Sequence, residues 1–387
     1  MKNISFNDTL IDRIEIPQCD LNIDNKTRSN LFNWNGQFSP QFIEAILSKY
    51  SKPGFFVLDP FLGSGTVLAE CARKGLQSFG VELNASAYFM AKTYEIVNLT
   101  PVERETVILT TDELVERLSV DNTIDCLTET ISDCKDSIIK NTLSVLMVLL
   151  DIYNNTVTKD LVITKWEWLK QLVRSLPYST ATISARLGDA RKLDLDDAVI
   201  DLLITSPPYI NVFNYHQKYR KSVEALGYDV LDIARSEFGS NRKHRGNRLY
   251  TVIQYCIDMS LSMLEAMRVC KNGTRMIYVV GRESTVLGYS FCNSELIYNI
   301  ATKVLGLKFK LRQERVFKNR YGQMIYEDIL HFINGQIKTN KDTTIIGARS
   351  VAVEMLESKL CEDNKNHAYL TEAINNASKI KQSEVIQ

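Results

Sequence analysis

The run FFVLD at residues 55–59 ends in an acid and enters a glycine-containing turn. A stretch of helical periodicity follows from Thr66 to Lys74 and closes at Gly75. QSFGVEL (77–83) then reads as a second buried strand and ASAYFMAKTYEIV (85–97) as a second helix. Strands too apolar to alternate, each followed by a helix, pair in parallel and must be covered on both faces. The pattern stops near residue 100 and resumes with ATISARLGDA (181–190) and VIDLLITSPPY (199–209). A helix over 250–270 and a strand over 275–281 come next. KFKLRQERVF (308–317) and YEDILHFIN (326–334) are spaced to pair as an antiparallel hairpin at the sheet edge. Upstream, Ser39 and Pro40 are placed as N-cap and first residue of a helix that buries Phe42, Ile43, Ile46 and Leu47.

These signals divide the chain. Residues 1–30 read as a polar N-terminal extension, and 31–100 with 181–335 as the α/β domain. Residues 101–180 read as a helical insertion, and 336–387 as a polar tail with a weak helical pattern. In the insertion, Leu114, Leu118, Leu127, Ile131, Ile138 and Ile139 are the expected buried positions, and the acids between Asp112 and Asp136 form a solvated face. Its last helix carries Trp166 and Trp168 and stops at Pro177. The chain has 387 residues, 45% of them hydrophobic, enough for a large core. Its 46 basic and 46 acidic residues cancel, so only local charge can point to a partner. The eight cysteines contain no C-x-x-C pair, which fits reduced thiols in a cytoplasmic protein and no metal site. The N-terminus lacks an apolar signal core, and the apolar run at 145–150 is too short to span a bilayer.

DPFLGSGTVLAEC (59–71) is the most informative stretch. A strand ends at Asp59, the backbone turns through Gly63 and Gly65, and a helix starts near Thr66. The unpaired N–H groups of a helix start suit a carboxylate or phosphate. A dinucleotide fingerprint needs a third glycine at position 68, where Leu68 stands, so a nicotinamide cofactor is disfavoured. Glu82 ends the next strand, where an acid accepts hydrogen bonds from ribose hydroxyls. Asp189, in GDAR, follows the third strand and can receive an adenine amino group. Asp59, Glu82 and Asp189 at three successive strand ends describe a nucleoside pocket.

Asp59-Pro60-Phe61-Leu62-Gly63-Ser64-Gly65-Thr66 resembles the S-adenosylmethionine motif of DNA amino-methyltransferases, and Ser206-Pro207-Pro208-Tyr209 resembles their catalytic motif. Phe38-Ser39-Pro40 is similar to the segment that closes over the methionine end of the cofactor. Gly80-Val81-Glu82-Leu83-Asn84 resembles the ribose-binding motif. The matching segments cover roughly residues 32–98 and 181–334. The resemblance implies a Rossmann-like, mostly parallel seven-stranded sheet whose last strand is antiparallel. It implies S-adenosylmethionine held by Phe38, Asp59, Pro60, Phe61, Gly63, Ser64, Gly65, Thr66, Glu82, Leu83, Asp189 and Ala190. It also implies a restriction–modification setting, with a restriction endonuclease as a possible partner. Asn84-Ala85 departs from the common Asn-Pro, and no long recognition domain follows the catalytic motif.

The Pro-Pro turn has a chemical purpose in this reading. An exocyclic amine is a poor nucleophile because its lone pair is delocalised into the base. Two fixed acceptors, the Ser206 hydroxyl and the Pro207 carbonyl, favour a tetrahedral nitrogen, and the prolines hold that carbonyl rigid. Tyr209 would stack on a base flipped from the duplex. Ring-carbon methylation of cytosine needs a cysteine nucleophile after proline, and the chain has no Pro-Cys. The resembled family more often has Asp or Asn in place of Ser206 when the target is adenine, so the resemblance implies cytosine-N4 over adenine-N6 as target. The alternatives are an RNA or small-molecule methyltransferase and a non-catalytic binding module. The stretch 235–248 holds five Arg or Lys, one histidine and a single acid. Its Arg242, Lys243, Arg245 and Arg248 are the candidate phosphate contacts to DNA.

Overall fold

The computed structural model describes residues 5–210, 215–238, 244, 246–319, 322–335 and 339–385. Helix α1 (Gln18–Asn22) and helix α2 (Pro40–Tyr50) precede β1 (Phe56–Asp59), α3 (Thr66–Lys74), β2 (Gln77–Glu82) and α4 (Ala85–Lys92). Four helices interrupt the alternation: α5 (Pro101–Glu116), α6 (Thr123–Asp133), α7 (Ser137–Leu150) and α8 (Lys159–Ser175). The alternation resumes with β3 (Ile183–Leu187) and β4 (Ile200–Thr205). Two short helices, α9 (Arg220–Ala225) and α10 (Val230–Ser236), lead to α11 (Tyr250–Val269) and β5 (Cys270–Gly281). A small hairpin of β6 (Glu283–Val286) and β7 (Tyr289–Cys292), then α12 (Asn293–Asn299), connect to β8 (Lys308–Lys318) and β9 (Met324–Ile333). Helices α13 (Lys341–Glu357) and α14 (His367–Asn375) follow.

The main sheet has seven strands in the order β3-β2-β1-β4-β5-β9-β8. The first five are parallel, and β9 runs antiparallel to both β5 and β8. This is the Rossmann-like sheet the sequence implied, with an antiparallel hairpin at its edge. Successive strand residues alternate between two cores. Val57, Leu202, Ile204 and Ile277 pack on the side of α2, α3, α4 and the inserted helices. Leu58, Leu203, Met276 and Phe332 pack on the side of α11 to α14. A period of two with apolar residues on both sides is what a doubly covered sheet requires. The 145–150 run lies in the buried helix α7, and among the described residues no helix is long and apolar enough to cross a membrane. The edge at β8 is covered by the N-terminal segment, where Asp12 N donates to Arg312 O at 2.7 Å and Val316 N to the Asn22 side chain at 2.9 Å. Covering an edge removes a site for stray strand pairing.

The inserted helices return the chain to within reach of its exit point, so β3 can pair beside β2. Arg104, on α5 and 4% exposed, holds the two ends together. Its guanidinium donates to the carbonyls of Val97 (3.1 Å) and Leu99 (3.0 Å) on the outgoing side. On the returning side it donates to Pro177 (2.7 Å) and to Leu176. Asn98 adds bonds to Ser179 O (2.8 Å) and Ala181 O (2.7 Å). Trp166 is buried in the insertion, while Trp168 is 44% exposed. Replacing Arg104 with Met keeps the aliphatic stem but strands several buried carbonyls. Each such group costs about 1–3 kcal/mol. Urea unfolding of Arg104→Met should therefore show a loss of at least about 2 kcal/mol, and an unchanged midpoint would mean that water substitutes for the guanidinium.

Candidate active site

The winding direction of the sheet reverses between β1 and β4, and a crevice opens there at the carboxyl ends of the strands. A cleft of about 920 Å³, counting its open mouth, occupies this position. Its floor is the β1–α3 loop and the ends of β2, β3 and β4. Phe38, Pro60, Phe61, Gly63, Thr66, Glu82, Leu83, Asp189, Ala190, Ser206 and Pro208 all line it.

Glu82 is the central polar group. One carboxylate oxygen accepts from Gly63 N at 2.7 Å and the other from Asn84 N at 2.8 Å. The Leu83 amide also contributes a bond, and a carboxylate with about four acceptor directions has room for a ligand hydroxyl beside these three. Burial pushes this carboxyl up to about 7 against the stabilising backbone bonds.

Asp59 does not line the cleft. It is 1% exposed at the base of the loop, where it accepts from Phe61 N (3.1 Å) and from the Thr205 hydroxyl (2.6 Å). Burial lifts it too to about 7. Ser64 is buried and not part of the lining, and its hydroxyl donates at 2.5 Å to the side chain of Gln37, which is part of it. Gly65 serves packing: its φ is 89°, and a Cβ there would sit 2.8 Å from Ala91 Cα. Asp189 lines the cleft with its carboxylate gripped by Arg191 at 2.5 and 2.9 Å.

The Ser206-Pro207-Pro208-Tyr209 turn follows β4 directly. Ser206 and Pro208 face the cleft, while Pro207 is buried. The Tyr209 ring lies against Gly281 at the end of β5, where a Cβ would come within 2.6 Å of it. Its hydroxyl is 3.4 Å from Ser206 Oγ and beside the Glu327 carboxyl, which Arg315 pairs at 3.2 Å. Burial raises both Tyr209 and Glu327 above their ordinary values.

Two segments roof the cleft. Trp34 stacks on Tyr215 (centroids 6.2 Å apart, planes at 22°), and Lys218 Nζ reaches across to Asn33 O at 2.7 Å. On the far side Phe238 meets Phe61 edge-on at 5.5 Å. Glu237, which also lines the cleft, pairs with the buried His216 at 2.8 Å. Sequence reasoning did not place Trp34, Gln37, Glu237 or Phe238 here. The available signal was the single acid within the basic stretch 235–248, which is Glu237. Of the four basic candidates, Arg242, Lys243 and Arg245 lie outside the described residues. Arg248 is half-buried just before α11.

Fold and cleft together define a Rossmann-like protein with a nucleoside-sized site at the switch point and a rigid polar turn on its rim. Residues 15–93 match the profile of the DNA methylase family of N6 and N4 enzymes. The chain is similar to the type II methyltransferase M.MjaII of Methanocaldococcus jannaschii, 37% identical over 51 residues, 13% of this chain and 10% of that one. It is similar to M.XycI of Xanthomonas campestris pv. cyanopsidis, 45% identical over 47 residues, 12% of this chain and 16% of that one. The matched stretch thus spans at most a sixth of these relatives' lengths. Among solved structures, an S-adenosylmethionine-dependent methyltransferase of Methanosarcina mazei aligns with a TM-score of 0.36 at 12% identity, over 75% of this chain and 97% of that one.

The residues fit S-adenosylmethionine. Glu82 has room to accept from a ribose hydroxyl. Asp189 and Phe238 offer an acceptor and a ring for adenine, and Thr66 with the N-terminus of α3 suits the methionine carboxylate.

The raised carboxyls carry a pH signature. Asp59 is held at about 7 in the folded chain, against about 4 when unfolded. Between these values the folded state keeps a proton that the unfolded state has lost. The stability this group contributes is thus full below its unfolded pKa and is lost as pH rises through about 7. Asn at position 59 keeps the acceptor for Phe61 N and Thr205. Denaturation of ligand-free Asp59→Asn should therefore show a shallower decline between about pH 4 and about pH 7 than the parent. Parallel curves would mean that Asp59 titrates normally.

Proposed function

We propose that this protein is an S-adenosylmethionine-dependent DNA methyltransferase that modifies an exocyclic base amine, with cytosine-N4 favoured over adenine-N6. The observation that carries the reading is that Ser206 and Pro208, from the turn after β4, line the same cleft as Glu82 and Asp189, with Tyr209 packed just behind them against Gly281. Similarity to DNA methylases over residues 15–93 supports it.

When bound, the cofactor supplies a methyl group on a sulfonium. The chain binds, orients and shields. Phe38, Pro60, Phe61, Gly63, Glu82, Leu83, Asp189 and Ala190 hold the cofactor's parts directly. Asp59, Ser64 and Gly65 keep the loop in shape, and Thr66 opens the helix that meets the carboxylate. The Trp34–Tyr215 roof excludes water, which strengthens every hydrogen bond beneath it. Ser206 Oγ and Pro207 O accept from the amino hydrogens of the target base, favouring a tetrahedral nitrogen whose lone pair is free to react. Tyr209, set by Gly281 and Glu327, presents its ring to the flipped base. The basic stretch follows the DNA backbone beside the site, and a restriction endonuclease of matching sequence specificity is the natural partner.

Nucleoside mass spectrometry of DNA incubated with protein and cofactor should reveal N4-methylcytosine. N6-methyladenine would correct the base, and methylated RNA with unmodified DNA would overturn the substrate class. Two variants separate binding from chemistry. Calorimetry of Glu82→Ala should show weakened cofactor binding. Ser206→Ala should keep that affinity and lose about a hundredfold in turnover. Affinity of the parent should fall from about pH 8 to about pH 6, as the proton on Glu82 competes with the ribose donors. Wild-type turnover in Ser206→Ala would remove the role given to that hydroxyl.

Arg242, Lys243, Arg245 and Arg248 yield a separate expectation. Neutralising all four should weaken DNA binding evenly across sequences. Each lost phosphate contact should reduce the slope of log affinity against log salt by about 1. An identical slope would place the DNA surface elsewhere.

A further inference from the structure

The chain segment after α14 is built into the back wall of the cleft. Arg191, two residues beyond Asp189, has only 2% of its side chain exposed. Its Nε and Nη2 grip Asp189 at 2.9 and 2.5 Å, and Nη1 reaches Asp258 on α11 at 2.8 Å. The remaining donor directions end on the C-terminal segment. Nη1 donates to Ser383 Oγ (2.7 Å) and Ser383 O (3.1 Å), and Nη2 to Glu384 O (2.6 Å).

Ser383 is itself 2% exposed. Its amide donates to Asp258 at 2.9 Å, and its hydroxyl to Ser236 O at 3.3 Å. Gln254 holds Lys381 O at 3.2 Å and Arg349 holds Ile380 O at 2.8 Å, so the segment is anchored along its length. Arg191 also lies over Phe238, 4.7 Å from the ring centroid. The segment therefore lies one residue behind both walls of one end of the cleft. It reaches Asp189 and Phe238 through Arg191, and the residues before Glu237 through Ser236.

We propose that residues 380–385 form a strap that positions the adenine-binding wall of the cleft, with Ser383 and Arg191 as positioning residues. The physical reason is donor satisfaction. A buried guanidinium keeps a fixed plane only while its donors all have acceptors. Without the strap, three of those bonds open to water. The guanidinium can then swing, and Asp189 loses its bidentate hold and Phe238 its covering cation. The strap makes none of these contacts with Ser206 or Tyr209, so its effect belongs to cofactor affinity and not to the chemical step.

This inference rests on the reading that the cleft holds S-adenosylmethionine, and the test keeps the two apart. In the full-length chain, Ser383→Ala removes one acceptor, and Ser383→Trp cannot fit the buried position and evicts the strap. Calorimetry with S-adenosylhomocysteine should show Kd raised about threefold in the first and at least about tenfold in the second. KM for the cofactor should rise in parallel, with kcat at saturating cofactor within about twofold of the parent. A role in stability alone would lower the unfolding midpoint without this split, and unchanged Kd in Ser383→Ala together with Ser383→Trp would overturn the strap. Should Ser383→Trp fail to fold, Ser383→Ala and Arg191→Lys decide, since both retain most of the packing volume. A wild-type chain that binds no S-adenosylhomocysteine would overturn the cofactor reading, and the strap with it.

Discussion

One buried carboxylate couples the two halves of the site. Asp59 ends β1, and its Oδ1 accepts both from the amide of its own loop and from the hydroxyl of Thr205, the last residue of β4. The first bond shapes the β1–α3 loop proposed to receive the cofactor, and the second fixes the strand end from which Ser206 departs. A change at this carboxylate therefore reaches the β1–α3 loop and the Ser206-Pro207-Pro208-Tyr209 turn together. Its burial is costly for the ionised form, and the raised pKa is the mark of that cost. The group is buried behind the cleft and is not part of its lining.

The cleft walls come from segments far apart in the chain. Trp34 and Tyr215 meet across 181 residues of sequence (215 − 34), and Lys218 and Tyr219 both bond to Asn33 O. The strap arrives from the opposite end of the chain. Such a site is rigid at its floor, where strand ends are paired, and depends on side-chain contacts at its roof. Rigid acceptors at the floor and a closable roof suit a reaction in which water must be excluded from a reactive methyl donor.

The inserted helices supply none of the cleft's lining residues. They separate β2 from its neighbour β3 by a hundred residues of chain, from Glu82 to Ile183 (183 − 82 = 101). Loop-closure entropy opposes that pairing. Arg104 and Asn98 counter it by tying the outgoing and returning chain through bonds to backbone carbonyls. The carbonyls gain partners in a place where water does not reach, and Gly188-Asp189 is delivered to the cleft.

The sequence by itself determined the alternation of strands and helices, the two-sided burial of the sheet, and the motifs at the ends of β1, β2 and β4. Those features are local: a period, a cap, a turn whose chemistry is written in adjacent residues. The place of Glu82 in the cleft lining was legible because an acid at the end of the strand after a glycine turn falls at the carboxyl edge of the sheet, where the crevice opens. Only the tertiary structure decided that Asp59 and Gly65 stand behind the cleft lining, where one bonds Phe61 N and Thr205 and the other packs on Ala91. It likewise decided that Trp34, Glu237 and Phe238 complete the walls and that Ser383 stands behind Asp189. These depend on which distant segments pack together, and pairings between segments far apart in sequence leave no periodic trace in the chain. Gly281 shows the same limit: its missing Cβ has meaning only because the Tyr209 ring, from a different strand end, fills that space.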